Sequence, residues 1–302
     1  MRKVIFIGEC SLDIMFPAST DKSGLIATTA MPGGRLLNAS ALLGQKGLDV
    51  TFVSEMARDR VGDAIAGFLT ANGVHTESID RYTDGSTSVN IFFPDDGPQR
   101  PASAVVYRNS PENDFDTIWP RIDPDDIVVF GTYFSIDPRM RQQLQDLLKY
   151  AAERRSMTIY LPGFLPSQAP RITKVMPYII ENLEAADIVL TRTADIQTIF
   201  GTTNAEECFE KHIRFYADTY INADAARHNV TCFHRNEKAV AETPEANQSL
   251  MWNAGTLSGL ISALIDLDIR STVGIDSDAM ARIADRMATE AKSAADKAPI
   301  DH

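Results

Sequence analysis

Four residues near the amino terminus have the types and spacing needed to hold a small polar molecule. Gly33 and Gly34 lack side chains, so the backbone there can approach a ligand closely. Asn38 follows within a predicted helix, and its amide offers both a hydrogen-bond donor and an acceptor. Asp13, just beyond the first predicted strand, can accept hydrogen bonds from the hydroxyls of a vicinal diol. These residues predict a sugar-like ligand, although glycines also start ordinary helices and Asp13 could equally be a solvated loop acid.

The elements that must position these residues alternate between strands and helices. Six short apolar runs predict strands: Val4–Gly8, Val50–Ser54, Ile127–Gly131, Thr158–Leu161, Ile188–Thr191 and Val230–Phe233. Between them, apolar residues recur with helical spacing, as at Val61, Ile65, Phe68 and Leu69. The alternation predicts an α/β fold with a doubly wound, mostly parallel sheet flanked by helices. Ligands of such sheets bind at the carboxyl ends of the strands.

Two segments, approximately 14–32 and 82–110, lack helical periodicity. Within the second, Thr87–Phe93 and Ala104–Arg108 predict two strands around a turn rich in Pro, Asp and Gly. We expect both segments to form a small β-sheet that projects from a single domain spanning residues 1–302. Such a sheet is either a structural insertion or a lid, and its position beside strand ends favours a lid.

The composition limits the classes of binding partner and the cellular compartment that we expect for this protein. The net charge of -12, from 41 acidic and 29 basic residues, argues against a nucleic-acid or anionic-membrane partner. The three cysteines and five histidines have no metal-ligand spacing, so we expect no metal site built from them and a reducing, cytoplasmic location. The first apolar run is too short for a signal peptide, and we expect no membrane span.

Several motifs occur in register over residues 33–63 and together resemble the first signature of one family. The matching positions are Gly33, Gly34, Asn38, Gly44, Asp59 and Gly62, with Gly8, Glu9 and Asp13 before them. The pattern is similar to that of the PfkB (ribokinase-like) carbohydrate kinase family. The resemblance implies a ribokinase-like α/β fold with a β lid and transfer of the ATP γ-phosphoryl group to a sugar or nucleoside hydroxyl. It also implies that Asp13, Gly33, Gly34 and Asn38 line the sugar site, with ATP and Mg²⁺ as cofactors if the chain is active.

The carboxyl-terminal motif departs from the family. The family has a Gly-Ala-Gly-Asp loop that opens the last long helix; its N–H groups hold the developing charge, and its Asp accepts the substrate proton. The corresponding residues here are Asn253, Ala254, Gly255 and Thr256, before an apolar helix predicted over Leu257–Leu267. A threonine hydroxyl is no base at pH 7, and loss of a positioned base costs roughly 10²–10⁴-fold in rate. The other interpretation of Thr256 is an ordinary helix N-cap.

Other departures also lie on the nucleotide side. The family's Asp-Pro-Asn-x-Arg is replaced by Leu161–Leu165, and its Asn-x-x-Glu by Arg192 through Asp195. Arg192 could contact a phosphate but would repel a metal, whereas Asp195 keeps the negative charge on a shorter arm. The glycine-bearing turn that meets the nucleotide in the family reads 234–238 here and has no glycine.

Three interpretations remain open from the sequence. The first is a working sugar kinase in which Asp195 or Asp13 has replaced the base. The second is an impaired relative that binds a sugar, sugar acid or nucleoside as a sensor or regulatory pseudokinase. The third is a structural partner with a vestigial pocket. In each, a homodimer through the lid would cover the apolar residues Val89, Ile91 and Phe93.

Overall fold

The computed structural model describes residues 2–17, 26–94, 103–111, 115–165, 171–243 and 250–296. The strands are β1 (Val4–Ile7), β2 (Ser11–Met15), β3 (Thr29–Gly33), β4 (Val50–Ala57), β5 (Val74–His75), β6 (Ile79–Tyr82), β7 (Ser86–Phe93), β8 (Ser103–Asn109), β9 (Ile127–Gly131), β10 (Met157–Leu161), β11 (Ile188–Arg192), β12 (Thr219–Asp224), β13 (Asn229–His234) and β14 (Glu237–Glu242). The helices are α1 (Arg35–Gln45), α2 (Arg60–Ala71), α3 (Arg141–Glu153), α4 (Ile172–Glu184), α5 (Thr193–Phe200), α6 (Ala205–Cys208), α7 (Leu250–Asp266) and α8 (Ser277–Asp296). Short 3₁₀ turns span Tyr133–Ile136 and Thr272–Gly274, and a π-helical turn spans Phe209–Ile213.

The larger sheet has ten strands in the order β14-β13-β12-β11-β10-β9-β1-β4-β5, with β6 paired to β4. The strands from β12 to β5 run parallel, so the carboxyl ends of β1, β9, β10 and β11 meet at one edge. Glu9, Thr132, Gly163 and Arg192 therefore lie at or just beyond this edge, where ligands of such sheets bind.

Two apolar layers cover the faces of this sheet. Strand β1 shows the division, because Val4 and Phe6 pack into one layer while Ile5 and Ile7 pack into the other. The first layer contains residues of α1, α2, α7 and α8, and the second contains residues of α3, α4, α5 and α6. Strands buried on both faces read as continuous apolar runs, which is why the sequence marked them clearly.

The smaller sheet has the order β3-β2-β7-β8. Strands β7 and β8 lie within the segment 82–110, whereas β2 begins at Ser11, before the segment 14–32, and β3 ends at Gly33. Leu12 pairs with Val89, which pairs with Tyr107, so these apolar side chains share the outer face. Asp13 pairs with Asn90 on the opposite face, which is directed towards the larger sheet. We refer to this four-stranded sheet as the lid.

The structure confirms the predicted ribokinase-like α/β fold with its lid and also differs from the prediction in detail. The two predicted lid strands pair antiparallel as β7 and β8, and most of the turn between them lies outside the described residues. Strand β12 was not predicted, and β13, predicted as Val230–Phe233, pairs antiparallel with it. Helix α7 begins at Leu250 rather than Leu257. Within the described ranges, no helix has the length and apolar character of a membrane span.

Candidate functional site

Asp13 lies on the inner face of the lid and is held there by neighbouring polar side chains. Its side chain is buried, and its Oδ1 accepts hydrogen bonds from Ser11 Oγ at 2.7 Å and Asn90 Nδ2 at 2.8 Å. A Cβ added to Gly33 would lie 2.0 Å from Asp13 Cγ, so only glycine leaves room for this carboxylate. Burial raises the pKa of Asp13 against the opposing effect of these hydrogen bonds. Asp13 is therefore a buried strand residue, and its interpretation as a solvated loop acid is wrong.

Asn38 lies at the start of α1, four residues after Gly34. Gly34 has φ 118°, and a Cβ there would lie 2.7 Å from the backbone oxygen of Glu9, so glycine is required by both strain and space. The Asn38 side chain is 1% exposed, yet neither Oδ1 nor Nδ2 has a hydrogen-bond partner among the described residues. Because buried polar groups are almost always hydrogen-bonded, this amide is suited to a polar ligand.

A small cavity of about 20 Å³ separates the lid from the main sheet beside Asp13. It is lined by Glu9, Cys10, Ser11, Glu55, Ser88, Asn90, Val106, Arg108 and Phe134. Glu9 Oε2 accepts a hydrogen bond from the backbone N–H of Phe134 at 3.0 Å, and burial raises the pKa of Glu9. The cavity has space for roughly one water molecule. The lid and the main sheet therefore lie close together at this point.

An ion-pair network that the sequence reasoning missed connects the lid to the main sheet. Arg108 on β8 contacts Glu55 Oε1 at 2.8 Å and Asp137 Oδ2 at 2.9 Å. Arg139 contacts the same two oxygens, at 2.7 Å and 2.9 Å. The carboxylate side chains are only 7% and 6% exposed, so both charges depend on their arginine partners.

Asp195 is enclosed by two arginines. Arg192 contacts Asp195 Oδ1 at 2.6 Å, and its backbone N–H donates to Oδ2; Arg35 Nη1 contacts Oδ2 at 2.8 Å. Burial would raise the pKa of Asp195, but Arg192 and then Arg35 outweigh it and lower the pKa. A carboxylate held in this way is a poor proton acceptor. Arg192 was a candidate for contact with a phosphate, but in the structure its guanidinium group is paired with Asp195 of the same chain.

Gly163 explains how this cluster fits beside β10. Its φ is +158°, and an added Cβ would lie 2.7 Å from Asp195 Oδ1 and 2.9 Å from Arg35 Nη2. Gly163, which stands where the family has an asparagine, therefore leaves room for the Arg35–Asp195 pair. Two departures from the family pattern that are distant in sequence form one packed arrangement.

The Asn253–Thr256 segment is a regular part of α7. Because α7 begins at Leu250, Thr256 is its seventh residue, and the N-cap interpretation is wrong. The N–H groups of Ala254, Gly255 and Thr256 lie beyond the first turn and are used in helical hydrogen bonds. The Thr256 hydroxyl, on a side chain that is 2% exposed, donates to the backbone oxygen of Asn253 at 2.7 Å.

The glycines of α7 make close contact with α8. A Cβ on Gly255 would lie 2.6 Å from the backbone oxygen of Glu290, and one on Gly259 would lie 2.6 Å from Met287 Cα. Spaced four residues apart, the two glycines allow the helix backbones to approach closely. Gly255 therefore serves helix packing in this structure.

Comparison with known proteins agrees with this architecture. The model of the pfkB family of carbohydrate kinases matches residues 1–215. The chain belongs to the pfkB family.

Individual relatives of this pfkB-family chain are distant in sequence. Ribokinase from Bacillus subtilis is 31% identical over 90 residues, a match that covers 28% of this chain and only 30% of the ribokinase. The structure is similar to fructokinase with bound ATP from Xylella fastidiosa, with a TM-score of 0.75, 16% identity and coverage of 99% and 95% of the two chains. Aminoimidazole riboside kinase from Salmonella enterica, complexed with aminoimidazole riboside and an ATP analog, gives a TM-score of 0.76, 14% identity and coverage of 99% and 95%. At these identities, the structural likeness shows the fold.

The residues present do not fit the Mg²⁺–phosphate site that the family implies. The Ala254–Thr256 N–H groups are used within α7, and Asp195 is paired with Arg192 and Arg35.

Proposed function

We propose that this chain is a sugar-binding member of the pfkB family, a sensor or regulatory pseudokinase, in which phosphoryl transfer from ATP is impaired. Its ligand is a sugar, sugar acid or nucleoside bound between the lid and the main sheet. Asp13 and Asn38 would hold the hydroxyls, while Gly33 and Gly34 would let the backbone approach. The buried, unpartnered Asn38 amide supports the binding half of the proposal.

The proposal that phosphoryl transfer is impaired rests on the position of Thr256 within α7. Phosphoryl transfer depends on positioning and on stabilising the charge that develops in the transition state. At the position of the family's base, this chain has a neutral hydroxyl that is bonded to its own helix. The adjacent N–H groups are also unable to turn towards an anion without unwinding α7.

The competing function is a working sugar kinase with another base. Asp13 is the better of the two carboxylates proposed from the sequence, because its raised pKa suits a proton acceptor. Asp195 is excluded from this role by its two arginines and its lowered pKa. This function requires Mg-ATP to bind and turn over.

A calorimetric titration separates the two functions. The protein is titrated with Mg-ATP and with a panel of hexoses, pentoses, sugar acids and nucleosides, and ADP release is measured in parallel. We expect a sugar to bind without Mg-ATP and expect Asn38→Leu to abolish that binding. Gln142→Leu, at an exposed position of α3, is the matched control. Sub-millimolar binding of Mg-ATP that a sugar strengthens would instead identify a kinase.

We also propose a homodimer through the outer face of the lid. This face is apolar along its length: Leu12, Ile14, Val89, Ile91, Phe93, Val105 and Tyr107. Tyr107 is 60% exposed, and an exposed apolar sheet of this kind is usually covered. Tyr107→Lys should shift the sedimentation equilibrium towards monomer. The control Phe215→Lys changes an aromatic residue that is 78% exposed outside the lid, and should leave the equilibrium unchanged.

A further inference from the structure

A cleft of about 760 Å³ lies at the edge of the larger sheet opposite the proposed sugar site. The amino end of β10 lines it at Met157 and Thr158, whereas the sugar site lies beyond the carboxyl ends of the strands. One face of α3 and the carboxyl end of α4 form its walls. Pockets that bind small molecules have volumes of about 300–1,000 Å³. The cleft is therefore a candidate for a second ligand site.

The inner surface of the cleft is apolar. Leu148, Met157 and Ala186 line it, and each of these side chains is buried. The ring of Tyr216 also lines it and is 37% exposed. A ligand with an apolar body would remove this surface from water, which favours binding.

The charged groups of the cleft differ from those of the chain as a whole. Four basic and three acidic side chains line it, although acidic residues outnumber basic ones by 41 to 29 in the sequence. Two of the acids are already engaged. Glu181 pairs with Arg141 and accepts a hydrogen bond from Gln145 Nε2 at 2.7 Å, and Asp187 Oδ2 accepts one from the backbone N–H of Thr158 at 2.7 Å.

Two of the basic side chains, by contrast, have no partner. Lys149 and Arg155 are exposed, and neither forms an ion pair or a side-chain hydrogen bond within the part of the chain that the structure describes. Among the described acids of the cleft, only Glu184 is in the same state. Two unpaired cations against one unpaired carboxylate favour an anionic ligand.

Arg155 has a backbone conformation that glycine would adopt without strain. It follows the C-cap of α3 with φ 58°, and its N–H donates to the Ala152 oxygen at 3.0 Å, while the N–H of Ser156 donates to the Ala151 oxygen at 3.0 Å. These bonds form the Schellman motif, in which the left-handed residue is usually glycine. The last carbonyl groups of α3 are thus bonded without the Arg155 side chain. An arginine here places a guanidinium beside the cleft at a cost in backbone strain.

We propose that this cleft binds a small carboxylate with an apolar body, either an aromatic or an aliphatic acid. The carboxylate would pair with Arg155 and Lys149, because the planar guanidinium matches the two oxygens of a carboxylate. The apolar body would cover Leu148, Met157 and Ala186. Sugar binding is independent of this site, which uses no residue at the carboxyl ends of the strands.

Calorimetry of the full chain tests the proposal with two acids and their neutral amides. The probes are indole-3-acetate with indole-3-acetamide, hexanoate with hexanamide, and acetate, which has no apolar body. We expect an acid to bind about threefold to about thirtyfold more tightly than its amide, the range for one or two exposed ion pairs. Acetate should bind more weakly than either acid.

Variants assign the binding to the cleft. Arg155→Gly should lower the affinity for the acid towards that for the amide, yet the midpoint of thermal unfolding should not fall, because glycine relieves the left-handed strain. The matched control is Arg235→Gly, since Arg235 also has a left-handed φ of 54° but lies in the turn between β13 and β14 and does not line the cleft. Lys149→Met should weaken binding as well, whereas Lys174→Met, at an exposed position of α4, should not.

The outcomes either support or overturn the proposal. Binding of one acid alone would support it and would identify the apolar body as aromatic or aliphatic. Absence of binding by both acids, equal affinities for acid and amide, or acetate binding as tightly as the larger acids would overturn it. An equal loss of affinity in Arg155→Gly and Arg235→Gly would also overturn it, because the acid would then bind outside the cleft.

Discussion

Restoring the family's acid by Thr256→Asp should fail to restore phosphoryl transfer and should destabilise the protein. The change removes the hydrogen bond from Thr256 to the Asn253 oxygen, a contribution of about 1 kcal/mol. It also places carboxylate oxygens at a position that is 2% exposed and beside a carbonyl oxygen, which costs about 1–3 kcal/mol or more. We therefore expect the free energy of unfolding to fall by about 2–4 kcal/mol.

Two measurements check this prediction. Urea unfolding compares Thr256→Asp with Thr256→Asn, its uncharged isostere, and with Thr256→Ser, which keeps the hydroxyl. A coupled assay measures ADP release by Thr256→Asp with Mg-ATP and the sugar panel. The turnover should be far below the range of about 1–100 s⁻¹ that is typical of kinases and should not exceed that of a reaction without the protein. If Thr256→Asp folds as stably as Thr256→Asn and turns over in that range, the claim that position 256 within α7 cannot hold the catalytic acid is refuted.

Three further predictions follow from buried groups. Asn38→Leu should abolish sugar binding yet raise the free energy of unfolding by about 1–3 kcal/mol, because an unpaired buried amide is removed. Calorimetry measures the binding and urea unfolding measures the stability. A variant that loses stability as well as sugar binding would contradict the prediction. Gly163→Ala should destabilise by about 1–3 kcal/mol, since its Cβ would collide with Asp195 Oδ1, and an unchanged urea midpoint would refute the close approach. Asp195 has a lowered pKa, so its stabilising contribution is present above its ordinary value near 3.8 and is lost as pH falls through the lower folded value. The stability gap between wild type and Asp195→Asn should therefore narrow below about pH 4, and a constant gap would show that the carboxylate charge contributes nothing.

The fold was predictable because its parallel strands are buried on both faces and read as apolar runs. Strand β12 escaped prediction because its sequence, Thr219–Asp224, includes Asn222 and Asp224, whose polar side chains are nevertheless buried. Asn222 bonds with Thr191 and Thr193, and Asp224 accepts backbone N–H groups in the turn that follows. Such partners come from tertiary structure, which periodicity does not report.

The candidate site was predictable only where local sequence determines it. The Gly33-Gly34 pair lies directly before α1, and Asn38 lies in the first turn of that helix. Their spacing in the sequence is therefore enough to bring them together. Arg108 contacts Glu55 across 53 residues, and Arg35 contacts Asp195 across 160, so no local pattern marks either pair. The role of Gly163 also follows only from the structure, because the groups that its missing side chain leaves room for, Asp195 and Arg35, are distant in sequence.

The lid network bears on the rate at which a ligand can enter. Lifting the lid to admit a sugar would break the ion pairs that Arg108 makes with Glu55 and Asp137. Association would then proceed only through molecules whose lid has opened, so the observed rate should level off at high ligand concentration. Dissociation would require the same opening. The arginine network would thus set how long a sugar stays bound, and the residues that touch the sugar would set which sugar is retained.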